Sequence, residues 1–345
     1  TNSFGSEFGT ASGGIMNVIS RSGTNTLTGR VYGFFQDSSL DSAPFAGYFV
    51  DGEPAYLDEA APKSQQRWGF TLGGPLVRDR VFFFAGNENL NTKGTDVLGI
   101  SEYWRAQGEP TVITRNTTDH PFIVKIDVNL NTRHRASVRF DRSINKQTNQ
   151  GGPLQVLSSR QTFGGPVWTV VGGLTSTLGK AAFNEVRASF LSNKPAIICN
   201  QAGAGGSALL ALGPAGTFAR RNYPGATLGC GFSGLEAEED LFIGDTLSLM
   251  LGRHQVKVGV TASYVNTIID SINVRNGAWT FPKDLAFDIN NPDSYPDRWS
   301  GGSSLPNYTK AVWGLNSFAQ DSWGIRDDLT LNFGVRYDID RASTI

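Results

Sequence analysis

From Phe122 to Leu130 apolar and polar positions alternate strictly, with Phe122, Val124, Ile126, Val128 and Leu130 set against Ile123, Lys125, Asp127 and Asn129. Successive side chains of an extended chain point to opposite faces, so a period of two predicts a strand with one apolar and one polar side. After Asn131-Thr132-Arg133-His134 the alternation resumes, with Ala136, Val138 and Phe140 against Ser137, Arg139 and Asp141. Two such runs joined by a short polar turn predict a β-hairpin.

The same unit recurs. Leu329, Leu331, Phe333, Val335 and Tyr337 alternate with Thr330, Asn332, Gly334, Arg336 and Asp338, after a strand near Ala311 to Trp323 and a turn at Gly324 to Asp328. Val256, Val258, Val260, Ala262 and Tyr264 share one face of a strand entered from Leu241 to Met250 through Leu251 to His254. Trp168 to Thr177 pairs with Ala182 to Ser192 through Leu178 to Ala181, and Arg67 to Leu76 pairs with Val81 to Leu90 through Val77 to Arg80. One unpaired strand, Leu27 to Gln36, precedes these five hairpins and brings the expected count to eleven.

The connections narrow the class. Within each hairpin the turn is short, whereas the linkers between hairpins, such as Asp37 to Gln66, Asn193 to Asp240 and Ile268 to Lys310, run to roughly 20–45 residues, far beyond ordinary connections. Alternating short turns and long loops characterise transmembrane β-barrels, and segments of about ten residues suit a tilted crossing of hydrocarbon. Aromatic residues near the strand ends, Trp68, Phe82 to Phe84, Trp168, Trp313, Trp323 and Tyr337, fit the water–lipid boundary. The fold expected is therefore all-β, an antiparallel transmembrane barrel.

Composition agrees and removes other classes. The chain has 345 residues with 41 Gly, 11% aromatic and only 18% charged residues, which does not describe a disordered segment. No apolar run is long enough for a transmembrane helix, and the mean hydropathy of −0.22 does not bear on a barrel, whose strands give no hydropathy peak. The net charge of −1 offers no electrostatic reason to expect nucleic acid as a partner. A basic, apolar leader is absent from the first residues, TNSFGSEFGT.

Residues 5–24 break the hairpin pattern. Gly13-Gly14-Ile15-Met16-Asn17-Val18-Ile19 resembles the last strand of the plug in TonB-dependent outer-membrane receptors, where a GG-(V/I)-x-N-(V/I)-(V/I) segment leads into the barrel, and Gly13, Gly14 and Asn17 carry that motif. Arg21 to Asn25, Phe70 to Val77, Phe82 to Phe84, Phe318 to Trp323 and Leu329 to Tyr337 follow in an order and spacing that resemble the Oar-like subgroup of these receptors. The resemblance covers the hairpins and fails in the long linkers.

It implies a barrel of about 22 strands around an N-terminal plug. In that scheme residues 1–25 are the C-terminal end of the plug and 26–345 the first half of the barrel. Single-chain bacterial barrels have even strand numbers, and an open sheet would leave unpaired edges in lipid, so an odd count of eleven is read as a fragment. The implied protein is a multi-pass outer-membrane receptor taking up a scarce solute: a siderophore, an oligosaccharide or a peptide. It would contact outer-membrane lipid and, through an N-terminal part outside this chain, the TonB system. Two rivals are an outer-membrane surface protein for adhesion or export and a soluble all-β carbohydrate-binding protein.

Candidate chemistry is sparse. The three histidines, His120, His134 and His254, form no HExxH pair, and no zinc-type Cys/His spacing occurs, so neither an enzyme nor a metal or other cofactor is expected. His134 and His254, with Arg78, Arg80, Arg133, Lys180, Arg253 and Arg326, are expected to form a solvated rim on the short-turn side. Asp288 to Asp297 lacks the EF-hand order and reads as a polar loop, and Gly203 to Gly206 is followed by no Gly-Lys-Ser/Thr. Cys199 and Cys230 share one long linker placed outside the cell, where thiols oxidise, and are expected to form a disulfide. Lys125, Asp127, Asn129, Arg139, Asp141, Lys257, Arg336 and Asp338 alternate with the apolar positions and are the expected lumen-lining residues.

Overall fold

The computed structural model describes residues 5–7, 9, 19–40, 45–50, 53–56, 63–200, 219–230, 232–273, 277–301 and 308–344. Eleven long strands follow one another in chain order: β1 (Thr28–Asp37), β2 (Ser64–Val77), β3 (Val81–Val97), β4 (Val112–Asp119 continued by Phe122–Asn129), β5 (His134–Gln150), β6 (Gln161–Thr177), β7 (Ala182–Asn193), β8 (Phe232–Leu251), β9 (His254–Asn273), β10 (Tyr308–Arg326) and β11 (Leu329–Thr344). Each pairs antiparallel with its sequence neighbours in one sheet, with β1 and β11 at its two ends.

β4 is one strand with a local break. Its two segments keep a single register against β3, through Leu90↔Asp119 and Asn87↔Phe122, and against β5, through Thr117↔Gln147 and Phe122↔Arg142. Between them Pro121 has no N–H to give the ladder. Its carbonyl still accepts from the Glu88 N–H at 3.0 Å and from Asn87 Nδ2 at 3.2 Å. The short turns use left-handed backbone, at Gly179 (φ 87°) and Gly252 (φ 64°), where the missing Cβ removes the steric penalty.

The register sorts side chains into two faces. Phe84, Lys125, Arg139, Val171, Ser189, Phe242, Ser263 and Gly314 lie directly opposite one another from β3 to β10 and therefore share a side. All eight residues expected to be lumen-lining fall on this polar face. The other face carries Val31, Val138, Trp313 and Val335, exposed at 85%, 55%, 58% and 67%, and among the described residues no second layer covers it. A soluble sandwich would need that layer.

Aromatic rings mark the ends of the apolar band. On β10, Trp313 packs on Tyr264 at 4.4 Å between ring centroids, and Trp323 stacks on His254 at 5.3 Å. These tryptophans are ten residues apart on one face. That is about 33 Å along a strand, or roughly the 25 Å band height once the strand tilts.

The strands outrun the alternation that reveals them. β5 continues from Asp141 to Gln150, and β8 begins at Phe232 rather than near Leu241. The linkers depart from expectation too. Their patternless sequence suggested irregular loops, yet the described parts contain a short helix (Glu102–Ala106) and a four-stranded sheet ordered 226–228, 220–223, 278–280 and 298–300. Here lies the one hydrophobic cluster found among the described residues: Leu98, Ile100, Trp104, Ile113, Val156, Tyr223, Ala226, Leu228 and Phe281. Linkers from four hairpins thus fold together as a cap on the long-linker end of the sheet.

Candidate functional site

The polar face holds the N-terminal segment. Lys257 Nζ on β9 donates to both carboxylate oxygens of Glu7 at 2.9 and 3.1 Å. On β11, Arg336 Nη1 donates to the carbonyls of Ser6 at 3.3 Å and Glu7 at 3.5 Å, while its Nε sits 2.8 Å from Asp338. On β4, Lys125 Nζ donates to Ser22 Oγ at 2.8 Å and lies 3.3 Å from Asp127, whose carboxylate is also 3.4 Å from Arg135. Asp127 is buried between these cations, which offsets the cost of removing its charge from water. Arg139 and Asp141 pair at 2.6 Å on β5.

Where the segment enters β1 it is pinned. A Cβ on Gly23 would come within 2.2 Å of the Phe83 carbonyl oxygen, so only glycine fits that approach. Asn25 Oδ1 accepts from the Asp79 N–H at 2.8 Å in the β2–β3 turn, and Asn129 Nδ2 donates to the Asp79 carbonyl at 3.0 Å. Of the residues singled out in sequence, Lys125, Lys257 and Arg336 touch the N-terminal segment, Asn129 supports its anchoring turn, Asp127 and Asp338 pair with cations on the same face, and Arg139 and Asp141 pair with each other. Gly13, Gly14 and Asn17 lie outside the described residues, as does Gly203 to Gly206.

The cap meets this face through Arg160. Its guanidinium is fully buried, 2.6 Å from Asp96 on β3, and donates to the carbonyls of Asn149, Gly152 and Gln155 at 2.7, 3.1 and 3.0 Å. Such a set satisfies most of its five donors and ties the end of β5 and two linker carbonyls to β3. Asp284 accepts from Trp104 Nε1 at 3.0 Å and from the Gly225 N–H at 2.8 Å, joining three linkers at one carboxylate. Tyr223 stacks on Phe281 at 4.2 Å between centroids. Burial pushes the Tyr223 phenol and the Glu109 carboxyl up and the Arg221 guanidinium down, with Arg221 partly countering the shift at Glu109. Cys199 and Cys230 are joined in a disulfide with Cα atoms 5.8 Å apart, beside the pairing of Ala196 and Ile197 with Leu235 and Gly234.

Other sequence candidates resolve into local structure. His254 Nδ1 lies 2.6 Å from Asp321, His134 Nδ1 2.8 Å from Ser176 Oγ, and His120 Nδ1 2.9 Å from Asn89 Oδ1. Asp288 and Asn291 accept backbone N–H groups in a capped turn, and among the described residues no cluster of metal-ligating side chains occurs. Trp104 and Asp284 escaped the sequence reading because their partners come from other linkers, and Arg160 because its carboxylate, Asp96, lies 64 residues away on β3. The aromatic pair Tyr103-Trp104 inside a linker without strand alternation was the available signal.

With this geometry in place, comparison with known proteins is specific. Residues 19–101 and 105–344 match the family model described as outer membrane beta barrel domain. Over 84 residues, 23% of this chain and 7% of the relative, the sequence is 31% identical to the TonB-dependent transporter Oar of Myxococcus xanthus. The outer membrane transporter YddB of Escherichia coli superposes with a TM-score of 0.57 at 11% identity, covering 95% of this chain and 41% of that one. The ferripyoverdine receptor of Pseudomonas aeruginosa, bound to ferripyoverdine, gives a TM-score of 0.56 at 13% identity over 94% of this chain and 38% of its own. For a ferric enterobactin receptor (PfeA) mutant of the same organism the TM-score is 0.54 at 11% identity, over 97% and 43%. The chain therefore spans less than half the length of the structures whose fold it shares.

Proposed function

We propose, from the premise that this chain belongs to the outer membrane beta barrel domain family, that it forms the first half of the barrel of a TonB-dependent receptor taking up a scarce solute across the outer membrane. The observation that carries this reading is the N-terminal segment held on the polar face by Lys257, Arg336 and Lys125. A segment docked inside a barrel wall by ion pairs and hydrogen bonds is what a plug requires, and a pure adhesin has no need of one. Residues 1–25 are accordingly assigned to the end of the plug and 26–345 to the wall. Lys125, Asp127, Asn129, Arg139, Asp141, Lys257, Arg336 and Asp338 face the lumen, the apolar face meets lipid, and the cap lies on the outer side.

On this reading the TonB system acts through a part of the protein outside this chain, and a siderophore, an oligosaccharide or a peptide is the cargo. The proteins sharing the fold include receptors for ferripyoverdine and ferric enterobactin, which supports a receptor role without choosing the cargo. The test is a Glu7→Cys, Lys257→Cys pair in the full-length protein. Oxidation should cross-link the segment to the wall in outer-membrane fractions. Energy-dependent uptake from a panel of ferric chelates, oligosaccharides and peptides should then stop, and recover on reduction. No cross-link, or uptake of every panel member indifferent to the protein, would sink the reading.

A further inference from the structure

Cations on the two faces of β2 to β6 are treated differently. On the polar face each is paired with a carboxylate: Arg67 with Glu88 at 2.8 Å, Arg115 with Asp96 at 2.8 Å, Lys125 with Asp127 at 3.3 Å and Arg139 with Asp141 at 2.6 Å. On the apolar face, beyond its band of hydrophobic side chains, stand Lys93, Arg142 and Lys146, all exposed. The register places Arg142 between Phe122 and Trp168, Lys146 between Thr118 and Gly164, and Lys93 between Ser64 and Asn116. No ion pair or hydrogen bond involves these three side chains among the described residues, and no carboxylate occupies this face of β3, β4 or β5. Their neighbours there are Asn87, Asn89, Asn91, Thr118 and His120, with Ile144 between Arg142 and Lys146.

Over the whole chain 30 Lys and Arg nearly balance 31 Asp and Glu, so a surface with three cations, amides and no acid is a local departure. Its level is informative as well. Arg142 begins the patch at the row of Phe122 and Trp168, and Lys146 lies four residues further toward the long linkers, about 14 Å along the strand. Just outside an apolar band and its aromatic rim lies the headgroup region, where lysine and arginine stems lie along the hydrocarbon boundary and their charges reach outward. An arginine fork can take two oxygens of one phosphate, and a lysine adds a point charge beside it.

We propose that Arg142, Lys146 and Lys93, with Asn89, Asn91 and His120 between them, form a binding site on the outside of the barrel for the phosphorylated headgroup of an outer-leaflet glycolipid. The assignment to the outer leaflet rests on the reading that the long-linker end faces the cell exterior; the site itself does not.

The test uses the full-length protein in detergent, titrated in mixed micelles with a phosphorylated glycolipid, with the same glycolipid after removal of its phosphates, and with inorganic phosphate. The R142Q/K146Q/K93Q variant should bind the phosphorylated lipid at least tenfold more weakly, from roughly tenfold or less per cation at a charged surface, while its heat-dependent gel migration stays that of the unaltered barrel. The R142Q and K146Q single variants give the same answer should the triple variant fail to fold. Binding should fall with salt and vanish for the dephosphorylated lipid. Unchanged affinity in the variants overturns the proposal, and competition by inorganic phosphate at the lipid's own concentration range turns the patch into a free-anion site and also overturns it. Loss of binding in an R78Q/R133Q/K180Q variant at the short turns, with the first variants unaffected, would overturn the site and show separately that the membrane orientation is reversed.

Discussion

The sheet and the cap are stabilised by opposite arrangements of the same residue types. In the sheet large apolar side chains share one exposed face, as at Val335 and Trp313, while polar and charged groups pair across the opposite face. In the cap Trp104, Ile100 and Val156 are buried, 4%, 1% and 0% exposed. The sheet sits in lipid, where apolar burial gives little and every backbone N–H and C=O must be paired within the protein. The cap sits in water, where burying hydrocarbon is the main driving force. One chain therefore uses two rules, and which applies is set by the solvent at that height.

The sharpest way to separate them is Trp104→Ala. Removing a large ring from the cap core costs about 3–5 kcal/mol, and Asp284 loses one of its two donors. Hydrogen exchange should then show lost protection in 98–113, 219–228 and 278–300 with the strands unchanged. Simultaneous loss in the sheet would mean that the cap is not a separable unit.

A charge on the outer face tests the other rule. Val138→Arg places a cation at mid-band and should cost about 2–4 kcal/mol in refolding from urea into bilayers. Ser137→Arg, one residue away on the polar face, should cost far less. Equal effects would deny that the two faces meet different solvents.

Reducing the Cys199–Cys230 disulfide should destabilise the cap by about 2 kcal/mol, the low end of the usual range, because the neighbouring strands already hold its ends together. Exchange protection of 220–228 with and without reductant measures it. The smallest effect is at Glu109, whose carboxyl is raised by burial. The folded cap holds that proton more tightly than the unfolded chain, so this contribution is full below the ordinary carboxylate pKa and is lost as pH rises through the raised value. Glu109→Gln should flatten that part of the cap's pH profile, and an unchanged profile would assign the dependence to another group.

Strand order, the hairpin turns and the two faces were legible from the sequence because each depends on near neighbours. Period-two alternation from Phe122 to Phe140 or from Leu329 to Tyr337 determines which side of a strand is polar wherever that strand goes, and a short turn forces adjacent strands to pair. The same alternation placed Lys125, Lys257 and Arg336 on one polar face. What it could not supply was their partners, since Glu7 meets Lys257 across 250 positions and only the folded sheet brings them to 2.9 Å.

The cap was illegible for the same reason carried further. Its core draws Trp104, Val156, Tyr223 and Phe281 from four linkers, each contributing a few irregularly spaced apolar residues that show no period. Arg160 in isolation is an exposed-type residue in a polar loop. Three carbonyls within the preceding eleven residues meet its donors locally, but the charge is compensated only because the tertiary structure brings Asp96 from β3 to 2.6 Å, which offsets a desolvation cost the carbonyls alone could not.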